Sequence, residues 1–218
     1  MNALVTFLGY QKQIIRYNFS QRFRITRLRT KIRIEAHCSI SKDFVFGKQV
    51  HIKGHVKILQ GVILGNYVTV GSHACLSRIQ VGDHSQIESG VKITGSGNGR
   101  IIVGRDSYIG INNILDWSEN ITIGDHVHIA GPSTGLWTHS SAKQAYAGIS
   151  LADKSTDYRP VAPIIIENNV YIGGNCTIYP GVRIAHHSMV APNSAVCEDV
   201  GPYEMVGGVP AKKIKHIV

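Results

Sequence analysis

The sequence predicts an all-β fold, a column of short parallel strands wound into triangular coils, and three observations point to it. From Ile34 onward an aliphatic or aromatic residue recurs at every sixth position: Ile34, Ile40, Phe46, Ile52, Ile58, Leu64, Val70 and Leu76. The fourth residue after most of these anchors is small or β-branched, as at Cys38, Val50, Val56, Val62, Val68 and Ala74. The residue directly after an anchor is often glycine (Gly47, Gly65, Gly71, Gly82, Gly104), with Asn, Asp or His soon after it. A six-residue period fits neither an α-helix nor an ordinary strand.

Together these features describe a short strand, a corner and another short strand, with three hexads to a coil. The anchor and the fourth residue after it face into the prism, and each coil stacks on the last as a parallel sheet. Glycine, Asn and Asp tolerate left-handed backbone, so the corners are expected there. The period slips by one at Val81, resumes through Ile87 and Ile93, and re-enters at Val103, Ile109, Ile123 and Ile129. It closes with Ile166, Ile172, Ile178, Ile184, Val190 and Val196. About seven coils at ~4.8 Å per strand make a column roughly 34 Å long, well within the size of one domain. That domain spans residues 34–218, with a tail from about 200 to 218.

Residues 1–33 differ in composition. Of the 23 Lys and Arg behind the net charge of +9, Lys12, Arg16, Arg22, Arg24, Arg27, Arg29, Lys31 and Arg33 precede the first acidic residue, Glu35. The pairs Phe7/Leu8 and Ile14/Ile15 lie seven apart, which suits one face of a basic amphipathic helix. Such a helix would cap the open end of the prism, and could also rest on an anionic membrane face. No apolar stretch reaches the ~20 residues of a spanning helix, and no cleavable signal is evident. A cytoplasmic protein, at most resting on the inner membrane face, is expected. No nucleic-acid module accompanies the basic stretch, so nucleic acid is not an expected partner. Cys38 and Cys176 take inward positions and Cys75 and Cys197 stand alone, which reads as free thiols in a reducing compartment.

The repeat breaks three times. Residues 94–100, TGSGNGR, are inserted between Ile93 and Val103, and strand pattern rather than a helix comes after them, which weakens a phosphate-loop reading. A smaller irregularity lies at Leu115, Asp116 and Trp117. The third, about 132–163, is an extruded loop, and a long excursion in a compact repeat points to function. Of the eleven histidines, His37, His55, His73, His84, His126 and His187 fall three residues after an anchor, at corners, and His51 and His128 fall five after, pointing outward. His139 instead lies in the long loop beside Trp137 and Thr138, which makes it the candidate catalytic residue.

The closing stretch carries VYIG (170–173), PGV (180–182) and GVPAKKI (208–214) in order. It resembles the end of the maltose and galactoside O-acetyltransferases and of the sugar O-acetyltransferases of surface-polysaccharide synthesis. Those are hexapeptide-repeat proteins whose prism is a left-handed parallel β-helix. The resemblance implies a homotrimer with acetyl-CoA as co-substrate in grooves between subunits, a sugar or saccharide acceptor, and a histidine general base near the start of an extruded loop, here His139. Histidine suits that role because a hydroxyl becomes a good nucleophile only as a base titrating near neutrality takes its proton.

The same resemblance assigns Gly174 and Tyr171 to the thioester end of acetyl-CoA and Lys212 and Lys215 to its phosphates. Asn112 matches an acceptor-contacting asparagine; Asn113 and Asp116 lie with it in the coil before the loop as further acceptor candidates, Asn113 at an inward position that equally suits a ladder residue, and Trp137 could stack on a sugar face or pin the loop. Asp116, Asp153 and Asp157 all remain possible carboxylate partners of His139. Two residues depart from the pattern: Pro192 has no N–H to offer the cofactor, and Glu198 replaces a basic residue.

The rival reading is an N-acetyltransferase of a nucleotide-linked amino sugar, with His128 as base. It is disfavoured because 33 residues cannot form the additional N-terminal domain such enzymes often carry. The same shortness argues against a serine acetyltransferase. A γ-type carbonic anhydrase would hold zinc with two histidines five apart, a spacing absent here, so no metal is expected. In a non-catalytic scaffold the His139 loop would be dispensable.

Overall fold

The computed structural model describes residues 25–26, 31–150, 152–153 and 157–217. Strands of two or three residues alternate with corners, and every third strand stacks on the same face of a three-sided column. Face A rises from Arg33–Ile34 to Glu204–Gly208, face B from Ser39–Ile40 to Ala195–Val196, and face C from Val45–Phe46 to Arg183–Ile184. Pairing between coils is parallel and in register, anchor over anchor: Ile34, Ile52, Val70, Ile87, Ile109, Ile129, Ile172, Val190 and Val206 on face A. The column is the left-handed parallel β-helix expected. Face B holds eight strands, so the column has one coil more than the period suggested. Val200 bridges to Ile184 on face C, and Glu204–Gly208 then opens a further turn on face A.

The inward positions of the hexads are buried, Ile40 near the first coil only partly, and Val50, Ile52, Leu64, Val70, Ile172 and Ile178 are 0% exposed. Where the small inward residue is serine, its hydroxyl is satisfied inside the prism. Ser85 Oγ donates to the Gly104 carbonyl at 2.8 Å and accepts the Ser107 N–H at 3.0 Å, and Ser107 repeats this with Gly124 and Val127. Buried hydroxyls of this kind cost nothing beyond the desolvation their hydrogen bonds offset.

The corners hold a correction. Left-handed backbone is carried by the third residue after the anchor, with φ between 56° and 62° at His37, His55, His73, His84, His126 and His187. The glycines directly after anchors lie outside that region. Their role is space: a Cβ on Gly65 would stand 2.8 Å from the Asp83 nitrogen of the next coil, and one on Gly71 would collide with the Ser89 backbone. The corner histidines stack coil on coil, His37 over His55 and His55 over His73, each at 4.8 Å between ring centroids.

At the N-terminal end, Ile25–Thr26 pairs antiparallel with Arg33–Ile34, a strand where the amphipathic pattern suggested helix. The rest of that expectation, up to residue 30, lies outside the described residues. At the other end Glu204–Gly208 folds back antiparallel on Ala211–His216. The four cysteines are free. Among the described residues, no helix is long and apolar enough to cross a membrane.

Candidate active site

The three breaks in the repeat stack on one edge of the column. Each comes after a face B strand of a successive coil: the 95–100 insertion after Lys92–Thr94, the irregularity after Ile114–Asp116, and the long loop after Gly135–Leu136. Gly135–Leu136 is itself part of the ladder, so the extrusion begins near residue 139 rather than 132. The period hid this strand because the preceding corner carries one extra residue, putting Leu136 seven positions after Ile129. The neck of the loop is closed by an antiparallel bridge between His139 and Val161 and by the Ala162 N–H donating to the Thr138 carbonyl at 2.9 Å. Beyond the neck the loop forms one short helix, Ala142–Tyr146.

His139 Nδ1 lies 2.6 Å from Asp116 Oδ2. The carboxylate is 0% exposed, and every contact it makes is a donor. Oδ1 accepts the Ser118 N–H at 3.1 Å and the Ser118 hydroxyl at 2.7 Å, while Oδ2 accepts the Thr138 N–H at 3.0 Å and has the Thr138 hydroxyl at 2.9 Å. Burial pushes the Asp116 carboxyl up, but the bonds from Ser118, His139 and Thr138 outweigh it and hold the group below its ordinary value. The carboxylate is therefore ionised and can only accept, which places the imidazole proton on Nδ1. Nε2 is left with its lone pair. The imidazole side chain is 20% exposed.

Beside this pair lies a cavity of about 470 Å³ lined by Ser96, Gly97, Asn98, Ser118, Glu119, Arg159 and Val161. It joins all three breaks. The Ser96 N–H donates to Ser118 Oγ at 3.2 Å, and the Glu119 N–H donates to Thr138 Oγ1 at 2.9 Å. Glycine is required in the insertion because a Cβ on Gly95 would stand 2.5 Å from Asp116 Oδ1, and one on Gly97 would strike the Ser118 carbonyl. Sequence reasoning set the insertion aside as a failed phosphate loop, and missed Ser118, Thr138, Glu119 and Arg159. The available signal was that the Asp116 irregularity falls in the coil between the insertion and the loop.

Residues 163–197 match the family described as bacterial transferase hexapeptide (six repeats). The chain is 32% identical to the galactoside O-acetyltransferase of Escherichia coli K12 over 142 residues, 63% of each chain. It spans less than two thirds of the length of that relative and of the next relatives it matches. Among solved structures it shares the fold of the polySia-specific acetyltransferase NeuO, with a TM-score of 0.54 at 24% identity over 84% of this chain and 82% of that one. It likewise shares that of AntD, an N-acyltransferase from Bacillus cereus, with a TM-score of 0.57 at 20% identity over 83% of each.

The hexapeptide column distributes the remaining predicted site residues over other positions. Asn113 is 0% exposed, its amide donating to the Ile129 and Ala130 carbonyls and its oxygen accepting the Thr134 N–H, so it is an interior ladder residue with no atom left for an acceptor. Asp116 corrects in the same way: its oxygens are enclosed, and it holds the histidine rather than touching a sugar. Of the possible carboxylate partners, Asp116 is in contact with His139. Asn112 and Gly174 lie at corners between faces A and B, the opposite edge of face B from His139. Tyr171 is on face A, stacked on His128 at 5.4 Å, and His128 is stacked on Tyr108 at 4.4 Å. Trp137 folds its indole over Gly135 at the outer surface of face B. Lys212 and Lys215 lie on the closing hairpin, and Lys212 Nζ is 3.1 Å from Glu198 Oε1.

Proposed function

We propose that this protein transfers an acetyl group from acetyl-CoA to a sugar hydroxyl, with His139 as general base and Asp116 as its positioning residue. The observation that carries the reading is the His139–Asp116 pair, oriented so that the lone pair is on Nε2. Nε2 takes the acceptor hydroxyl's proton as the oxygen attacks the thioester carbonyl carbon. The tetrahedral intermediate collapses, the C–S bond breaks, and the imidazolium returns its proton to the departing thiolate. The buried carboxylate stabilises the imidazolium between those steps. The 32% identity to a galactoside O-acetyltransferase supports acetyl transfer and the acceptor class.

Within one chain His139 is on the B–C edge, while Gly174 is on the A–B edge and Tyr171 on face A. A cofactor touching both sets must lie between two copies, which supports a homotrimer with active sites between subunits. We place the protein in the cytoplasm, in surface polysaccharide or lipopolysaccharide synthesis, with residues 1–33 resting on the anionic inner membrane face. The N-acyltransferase reading rests on His128, whose pKa burial pushes down toward a neutral base. His128 has no carboxylate partner among the described residues to fix its tautomer, which favours His139.

Incubation with labelled acetyl-CoA and a panel of neutral, acidic, nucleotide-linked and lipid-linked sugars tests this. A labelled product released by mild alkali is an ester and supports O-transfer. An alkali-stable amide would replace it with the rival reading, and no product with any acceptor would refute acetyl transfer to sugars.

A further inference from the structure

Arg159 stands apart from the other ionic groups around the catalytic edge. Its Nε is buried and meets no hydrogen-bond partner among the described residues. Arg78, the other arginine with a buried unpartnered Nε, has its guanidinium 4.6 Å above the Trp117 ring. Arg159 instead lines the cavity beside His139, whose wall includes the two residues that flank the base, Ser118 and Val161. A buried guanidinium N–H that no protein acceptor meets is costly unless something that enters the cavity accepts from it.

The other linings are of a different kind. Glu119 has Oε1 on the Asn120 N–H at 2.8 Å, and Ser96 and Asn98 bring a hydroxyl and an amide. Those groups suit sugar hydroxyls. A planar five-donor fork suits a carboxylate or a phosphoryl group, which it binds bidentately.

Resting on the acetyl-transfer reading, we propose that this cavity is the acceptor pocket and that Arg159 selects an acceptor carrying an anionic group, a uronate-type carboxylate or a sugar phosphate. The insertion 95–100 forms the opposite wall, so this hexapeptide column would owe its acceptor class to the two breaks that frame the base.

The test is binding first and turnover second. Galactose, galacturonate and galactose 1-phosphate are titrated into the full chain and into Arg159→Gln and Arg159→Lys by calorimetry, with acetyl-CoA titrated in parallel. The expected result is tighter binding of one or both anions than of galactose, by about tenfold or more, lost in Arg159→Gln and partly kept in Arg159→Lys. Which anion binds decides between carboxylate and phosphate. Equal binding of all three sugars, an anion preference that survives Arg159→Gln, or a loss of acetyl-CoA affinity in its place would overturn the proposal. Melting curves establish that each variant is folded, and the Lys variant serves if Gln is not. Absence of acetyl transfer to any sugar would instead count against the acetyl-transfer reading, leaving the binding result to decide the role of Arg159.

Discussion

His139 and Asp116 are 23 residues apart in sequence, yet Nδ1 and Oδ2 meet at 2.6 Å because two consecutive coils break at the same edge of the column. The carboxylate is immobilised by Ser118 and Thr138 before it reaches the imidazole, so the histidine's tautomer is fixed by groups that are themselves fixed.

Replacing His139 with Ala removes the base and little packing, since the residue sits outside the stacked hexads. Turnover should fall by about 10²–10⁴-fold with the melting temperature nearly unchanged. Steady-state assays at saturating acceptor check this, and near-normal turnover would move the base elsewhere, His128 first.

Asp116→Asn keeps the shape and removes the charge. An amide can donate to Nδ1, which shifts the ring proton to Nε2, so kcat should drop by on the order of 10²-fold or more while KM for acetyl-CoA changes little. The Ala variant should also lose stability, because each buried donor it strands costs about 1–3 kcal/mol. Denaturant melts of both variants separate the two effects.

Acid should reveal the same carboxylate. Its pKa is held below the ordinary 3.8, so its contribution is fully present above that value and is lost as pH falls through the lower folded-state value. Wild type should therefore lose stability relative to Asp116→Asn as pH falls through the acid range, which denaturant midpoints of the two proteins check. A gap that does not narrow in acid would mean that the carboxylate's charge contributes nothing to the fold.

Two glycines should respond differently to alanine. Gly71→Ala drives a Cβ into the Ser89 backbone and should cost about 1–3 kcal/mol by overpacking. Gly54→Ala meets the Ala36 carbonyl at 3.4 Å and Glu35 Oε2 at 3.9 Å, ordinary contacts, and should be close to neutral. Urea midpoints compare them, and equal losses would mean that conformational freedom, not space, is what the post-anchor glycines supply.

The Lys212–Glu198 pair is exposed on both sides, and its breakage frees a cation for an anionic ligand. Glu198→Ala should lower KM for acetyl-CoA, by no more than about fivefold given the worth of an exposed pair, and less at high salt. An unchanged KM at low salt would separate Lys212 from the cofactor phosphates.

The anchors and their small fourth partners were legible in the sequence because each coil contacts only its neighbours: Ile52 lies over Ile34, and Val70 over Ile52, wherever the column is cut. Local periodicity therefore determined the all-β column, its inward residues and its histidine corners. It could not say why glycine succeeds the anchor, since the atoms that exclude a Cβ at Gly71 belong to Ser89, one coil on. The site was less legible still. His139 stood out as the loop histidine that the period did not explain, but Asp116 had rivals and was also given to the acceptor, Asn113 stood between an acceptor ligand and an inward ladder residue, and Arg159 gave no signal. Their roles were decided by which corner of the triangle each break occupies, and that depends on how many residues every earlier corner consumes. The extra residue before Leu136 alone shifts the phase of every later strand. A repeat determines its own core residue by residue, whereas a site built from three interruptions exists only once the coils between them have been wound.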